Sequence, residues 1–397
     1  CSSDLMDLTT TILAATGAEP PTGRKLDGIE LEILWSNLIG IVSEQAKALQ
    51  RIAFSPIVRE AGDLASALFD ARGRMVAQAN TGTPGHINSL AAAGGHLHRM
   101  FHGTLVPGDV LITNDPWISA GHFFDITLLT PVFRGTRIIG YLGSTIHHTD
   151  ISGYGIGAGA RDVHEEGLWI PPLKFFDAGK ANDTLHTMIR RNVRTPDQTT
   201  GDIWSQVGAV ELMANRLSEL LGEYSLDGID DLAEALFARS EAAMREAIAA
   251  IRDGEYRYEM LTDGFDEPFR FAVTVRITGD TLQCDFSGTS PQQPRAINCV
   301  LGYTRAMSVY AIKSLLLPDL PNNEGMFRPV DVFAPRACIL NPVSPAPVGG
   351  RSCTGHYVPV AIFGALAAVL PDRVMAGAGS PIWIANLSGL REDGRPF

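Results

Sequence analysis

Apolar positions along the chain fall into successive rhythms, and each predicts a different kind of element. Over residues 29–51, Leu31, Leu34, Trp35, Leu38, Val42, Ala46 and Leu49 recur at helical spacing, which predicts a long amphipathic helix with its apolar face on a sheet. The runs Ser66-Ala67-Leu68-Phe69 and Met75-Val76-Ala77 flank Ala71-Arg72-Gly73-Arg74, and the glycine-containing turn between them predicts a β-hairpin. Between residues 110 and 143, Val110-Leu111-Ile112, Ile126-Thr127-Leu128-Leu129 and Ile138-Ile139-Gly140-Tyr141 alternate with Gly and Pro. That pattern is β-rich, with loops at the strand ends. Residues 183–252 change to Ala- and Glu-rich helical periodicity through Leu212, Leu217, Leu220, Leu221, Leu232, Leu236 and Ile248. In 269–277, Phe269, Phe271, Val273, Val275 and Ile277 take every second position, as a strand with one buried face requires.

Together these rhythms predict a mixed α/β (α+β) chain in four parts. They are a loosely ordered, polar lead-in over 1–25, a β-rich portion over 26–180, a helical segment over 181–255 and a second α/β portion over 256–397. A chain of 397 residues, 45% hydrophobic and 19% charged, can bury a sizeable core. The most apolar stretch, 358–370, is shorter than the roughly 18 apolar residues of a spanning helix, so it predicts a buried helix and no membrane span. A net charge of −12 disfavours nucleic acid and anionic lipid, which need a Lys/Arg surplus, and leaves proteins or small molecules as partners. Cys1, Cys284, Cys299, Cys338 and Cys353 form no C-x-x-C pair. They argue against a disulfide framework and fit a reducing cytoplasm, with the last four as inert thiols in apolar contexts. A chain that starts at Cys1 reads as trimmed, as a fragment, or as a processed lipoprotein.

Candidate chemistry concentrates between Asn114 and Asp125 and in His147-His148-Thr149-Asp150. His122 and Asp125 are three positions apart, so a tight turn can aim both at one ion, and His147 follows a strand-like run that would hold it rigidly. Glu60 or Asp63 offers a further oxygen. Imidazole and carboxylate donors suit Zn²⁺, Mn²⁺ or Fe²⁺, and a catalytic ion needs an open position that such a set can leave. A histidine in a glycine-rich loop can equally be a hydrogen-bonded loop residue, and an Asp before Pro, as at Asp115, commonly caps a turn. Asp150 reads either as a turn former or as an acceptor for a ligating imidazole; His148 and His86 stay open. His96, His98 and His102 read as surface or packing residues. The run Gly153-Tyr154-Gly155-Ile156-Gly157-Ala158-Gly159 lacks the Lys-Ser/Thr of a phosphate loop and is expected to be a mobile cover over the site.

The order of short motifs carries more than any one of them. Arg59-Glu60 with Asp63 and Phe69-Asp70, Pro107-Gly108-Asp109 with Asn114-Asp115-Pro116, His122 with Asp125, His147-His148-Thr149-Asp150, Glu166-Gly167 with Ile170-Pro171-Pro172, Asp285-Phe286-Ser287-Gly288-Thr289, and Asn323-Glu324-Gly325 with Arg328-Pro329 run through nearly the whole chain. In this order they resemble the hydantoinase B/5-oxoprolinase family, which includes the B subunits of N-methylhydantoinases, the matching half of 5-oxoprolinases and caprolactamases, and the large subunits of acetone and acetophenone carboxylases. The resemblance implies a metal-containing B-type subunit in a hetero-oligomer with a hydantoinase A-type partner that uses ATP to open cyclic amides. It implies Glu60, His122, Asp125 and His147 as metal ligands, with Asp150 or His148 orienting a ligand or moving a proton. Ketone carboxylation and a noncatalytic assembly role are the alternatives. Relatives usually show Gly-Gly-Thr where this chain has Ser119-Ala120-Gly121, and they continue past Phe397, so the resemblance also implies a C-terminally truncated chain.

Overall fold

A computed structural model of the chain describes residues 27–375 and 391–394. Cys1 and the expected lead-in over 1–25 lie outside the described residues, as do parts of the C-terminal portion. Helix α1 (Gly28–Ile52) follows the expected periodicity, burying Leu34, Trp35, Leu38, Val42, Ala46 and Leu49. Asp27 caps it by accepting from the Glu30 N–H at 2.7 Å, which satisfies one of the orphan donors of the first turn. A short helix α2 (Pro56–Arg59), capped by Ser55, leads into strand β1 (Leu64–Phe69), which turns back as β2 (Met75–Gln78) in the expected hairpin. Helix α3 (Pro84–Phe101) crosses the sheet next. Gly94 on this helix is required by close approach, because a Cβ there would lie 2.4 Å from the Phe69 ring.

Strands β3 (Val110–Thr113), β4 (Asp125–Arg134), β5 (Arg137–His147), β6 (Leu173–Asp177) and β7 (Lys180–Ala181) complete a seven-stranded antiparallel sheet. Its order is β2-β1-β5-β4-β3-β6-β7. Strand β1 pairs with β5 although helix α3 and strands β3 and β4 lie between them in the chain, so non-local contacts join the β1–β2 hairpin to the rest of the sheet. Helices α4 (Asp183–Asn192), α5 (Pro196–Glu223) and α6 (Asp230–Ala249) form the expected helical segment. Residues of α5 and α6 pack with α1 on one sheet face through Val210, Leu217, Leu221, Leu232 and Leu236, while α3 covers the other through Ile87, Leu90 and Leu97.

The remaining chain builds a second sheet, ordered β11-β10-β9-β8, from β8 (Gly254–Thr262), β9 (Phe269–Thr278), β10 (Thr281–Asp285) and β11 (Val330–Phe333). Strand β9 alternates as predicted, with Phe271, Val273, Val275 and Ile277 buried. Among the described residues this sheet has one parallel pair, β10 with β11, joined by a crossover through α7 (Leu301–Leu316) and the short α8 (Glu324–Phe327). Helices α9 (Arg351–Gly355) and α10 (Tyr357–Leu366) follow, and α10 buries Val358, Ala361, Ile362 and Leu366, as its apolar run predicts. Among the described residues no helix is long and apolar enough to cross a membrane.

Candidate metal centre

Register places the first two donors. Asp125 opens β4 and His147 closes β5, and the two are directly paired across the antiparallel ladder, so their side chains meet at one end of the sheet on the same face. His147 Nδ1 lies 2.9 Å from Asp125 Oδ1. His122 comes from the turn before β4, where Gly121 holds a φ of +91° and a Cβ would meet the Arg351 side chain at 2.6 Å. Its Nε2 is 2.7 Å from Asp125 Oδ2, yet without the alignment of a hydrogen bond. His86 enters from the first turn of α3 and puts Nε2 2.8 Å from the same Oδ2. Ring and carboxylate atoms of His86, His122, Asp125 and His147 all lie within 4.8 Å of one another, and all four residues are buried.

Two neighbours complete the electrostatics. Asp63, just before β1, stands 3.3 Å from His86 Nδ1 and 3.8 Å from His147 Nδ1. Its backbone carbonyl accepts from the His147 N–H at 3.1 Å, so the strand pairing itself seats it there. Arg351 donates from Nη2 to Asp125 Oδ2 at 2.5 Å and from Nε to the Ala120 carbonyl. Its guanidinium lies 4.2 Å from the Tyr303 ring centroid. Burial opposes ionisation of Asp125, but His122, His86 and Arg351 outweigh it and hold the carboxyl well below its usual range. Burial and the Arg351 charge push His122 down to about 4, so its imidazole is neutral at physiological pH. For His86 burial works downward, yet Asp125 and Asp63 raise the balance.

This donor chemistry fits a divalent cation. A neutral imidazole nitrogen and a carboxylate oxygen facing each other at 2.7 Å are two acceptors with nothing between them to share, and a cation relieves that repulsion. His122 Nδ1 supplies the matching support by donating to the Gly349 carbonyl at 3.2 Å. The loop bearing His122 is itself braced by Asn114, whose side chain donates to the carbonyls of Phe123 (2.8 Å) and Leu168 (2.9 Å) and accepts from the Ile170 N–H (2.7 Å).

Of the residues singled out in the sequence, the structure brings His122, Asp125 and His147 together and leaves Glu60 outside. Glu60 ends α2 with its side chain 68% exposed and paired to Arg59, while Asp63, three positions on, faces the cluster. Of the two readings of Asp150, the contacts match the turn former. Its carboxylate accepts from the Ser152 N–H, the Arg194 guanidinium at 2.8 Å and the Arg194 N–H, which ties the post-β5 loop to the α4–α5 connection. His148 is fully buried, with both ring nitrogens unpartnered among the described residues, and burial followed by the neighbouring His147 pushes it down to about 3. His86, left open by the sequence, joins the cluster, and Arg351 is the member that no sequence pattern singled out. The glycine-rich run over 153–159 keeps Tyr154 and Ile156 exposed and borders the loop at Gly349 and Gly350.

Known proteins resemble this chain in sequence and in fold. A provisionally assigned B component of a D-/L-hydantoinase from Pseudomonas sp. (strain NS671) is 33% identical over 378 residues, covering 90% of this chain and 64% of its own length. The chain therefore spans about two thirds of that relative. The crystal structure of ATP-dependent caprolactamase from Pseudomonas jessenii superposes with a TM-score of 0.82 at 26% identity, over 88% of this chain and 62% of that one. Acetone carboxylase in its nucleotide-free structure shares the fold, with a TM-score of 0.82 at 20% identity over 94% of this chain and 53% of that one. A family model described as hydantoinase B/oxoprolinase matches residues 27–397, so the chain belongs to the hydantoinase B/oxoprolinase family.

Proposed function

We propose that this chain is the metal-holding B-type subunit of an ATP-dependent cyclic amide hydrolase, assembled with a hydantoinase A-type subunit that uses the ATP. The observation that carries the reading is the buried cluster of His86, His122, Asp125 and His147 with its unpartnered His122 Nε2. Relatives named as a hydantoinase component and an ATP-dependent caprolactamase support the substrate class. His122, Asp125 and His147 would hold the ion, with Asp63 as the carboxylate in place of the expected Glu60 and His86 as a further donor. Such a set suits Zn²⁺ or Mn²⁺ and accepts Fe²⁺. A divalent ion bound there would supply Lewis acidity, polarising an amide-derived oxygen or making water more acidic.

The chain's own groups prepare that step. Asp125 stays ionised in a buried site because imidazoles and Arg351 surround it, which keeps a carboxylate available to a cation. Arg351 keeps a fixed positive charge beside Asp125, where it can also hold an anionic oxygen of an activated amide. His148 remains neutral, which suits hydrogen-bonding a buried water or a ring nitrogen better than general-base work. Asp150 acts through Arg194 on the loop that follows His147. Free Cys284, Cys299, Cys338 and Cys353 fit a cytoplasmic setting.

The test is reconstitution with a hydantoinase A-type subunit, ATP and a panel of hydantoin, 5-oxoproline and caprolactam. Release of an open-chain acid, lost in His122→Ala, supports the reading. Turnover only with a ketone and bicarbonate would instead assign the carboxylase reaction, and partner binding without metal or turnover would assign an assembly role.

A further inference from the structure

Glu166 is a buried carboxyl with no part in the donor cluster. It follows a 3-10 turn, Val163–Glu165, and is 2% exposed. Its Oε1 accepts from the backbone N–H groups of Val348 at 2.7 Å and Gly349 at 2.6 Å, while Oε2 is unpartnered among the described residues. The segment is seated tightly, since a Cβ on Gly349 would lie 3.1 Å from Oε1 and one on Gly350 only 2.6 Å from the Ala296 carbonyl. Gly350 N–H in turn donates to that Ala296 carbonyl, so the 348–350 segment is held from both sides.

That segment carries the Gly349 carbonyl, which meets His122 Nδ1 at 3.2 Å. A carbonyl can only accept, so this contact requires the proton on Nδ1 and leaves Nε2 with its lone pair, 2.7 Å from Asp125 Oδ2. Neither Asp63 nor any other carboxylate touches Nδ1 among the described residues, so the Gly349 carbonyl is the acceptor that favours Nδ1–H against the Asp125 carboxylate facing Nε2. Imidazoles that bind metals depend on such a partner for ring orientation and basicity.

We propose that Glu166 is a positioning residue for the metal site: by clamping the Val348 and Gly349 N–H groups it holds the Gly349 carbonyl against His122 Nδ1 and aims Nε2 at the cation. This deepens the metal-site reading above and rests on it. The clamp links two segments 182 residues apart through a single oxygen, so losing it removes one of the two restraints on the 348–350 segment without touching any donor.

The experiment uses the full chain, its Glu166→Ala and Glu166→Gln variants, chelator-stripped and titrated with Zn²⁺, with ¹⁵N shifts of the His122 ring recorded on the metal-free proteins. Glu166→Ala is expected to weaken Zn²⁺ binding about 10- to 100-fold, the usual loss for such outer partners, and to populate the Nε2–H tautomer. Glu166→Gln keeps an acceptor oxygen and is expected to retain the Nδ1–H tautomer and near-parent affinity. Should Glu166→Ala fail to fold, Glu166→Asp, whose shorter carboxyl cannot reach both N–H groups, is expected to move both readouts the same way. Unchanged tautomer and affinity in Glu166→Ala, or in Glu166→Asp where it is the variant used, overturn the proposal. If the parent binds no Zn²⁺, the metal reading fails on its own, and the tautomer shift in the metal-free variants still decides whether Glu166 positions His122.

Discussion

Replacing Arg351 by Met removes the one guanidinium that meets Asp125 among the described residues. The side chain is 5% exposed and Asp125 is fully buried, so water cannot replace the lost charge. The change also strips the Ala120 carbonyl of a donor and the Tyr303 face of its cation. Breaking a buried pair from one side costs about 3–5 kcal/mol. His86 and His122 still face Asp125 Oδ2, which places the expected loss near the lower end, about 3 kcal/mol. At a urea slope of about 3 kcal/mol/M, the midpoint should fall by roughly 1 M with the slope unchanged. The decisive version is a cycle with Asp125→Asn, in metal-free protein: with the carboxylate gone, Arg351→Met should cost at least about 1.5 kcal/mol less than in the parent. Equal costs in the two backgrounds, or a loss under about 1 kcal/mol in the parent, would refute the claim that Arg351 balances Asp125.

Three other outcomes follow from contacts away from the donors. Burial raises the Glu166 carboxyl from 4.5 to about 7 against its two backbone donors, so its stabilising neutral form is complete below about pH 4.5 and is lost as the pH rises through about 7; parent minus Glu166→Gln stability should therefore fall by about 2.5 kcal/mol between pH 5 and 8, read by urea melts, and a flat difference would contradict the shift. Asp150→Ala should destabilise the chain by about 1–3 kcal/mol through the orphaned Arg194 contacts while leaving Zn²⁺ stoichiometry intact, so metal loss would return Asp150 to the site. Gly94→Ala should cost about 1–3 kcal/mol by overpacking on Phe69, outweighing the roughly 1 kcal/mol that alanine gains in a helix, and a raised melting temperature would count against that packing.

What was legible in the sequence was whatever periodicity or close spacing encodes. Helix α1, the β1–β2 hairpin, the helical middle and the alternating β9 each announce themselves within a window of a dozen or two residues, because burial on one face sets their period. His122 and Asp125 were legible because they are three apart, and His147 because it ends an apolar run. Sheet order was not, since β1 pairs with β5 and β3 with β6 across long intervening segments that leave no local trace. The same reason hid Arg351, which reaches Asp125 from 226 positions away, and left His86, 39 positions upstream, open rather than assigned. Position before β1 left Glu60 and Asp63 as alternatives, and the family resemblance chose Glu60. Only the backbone bend after α2, with Gly62 at a φ of +67°, turns Asp63 toward the cluster and Glu60 toward solvent. Asp150 drew attention beside two histidines, but its partner, Arg194, lies on a distant connection.

The metal content of the purified chain, measured by plasma mass spectrometry beside a His122→Ala/Asp125→Ala variant of verified fold, tests the buried donor cluster most directly. Near one equivalent of a divalent transition metal in the parent, absent from the variant, is the predicted result. A well-folded parent that takes up no metal when supplied with Zn²⁺ or Mn²⁺, or a variant that keeps its full equivalent, would contradict it.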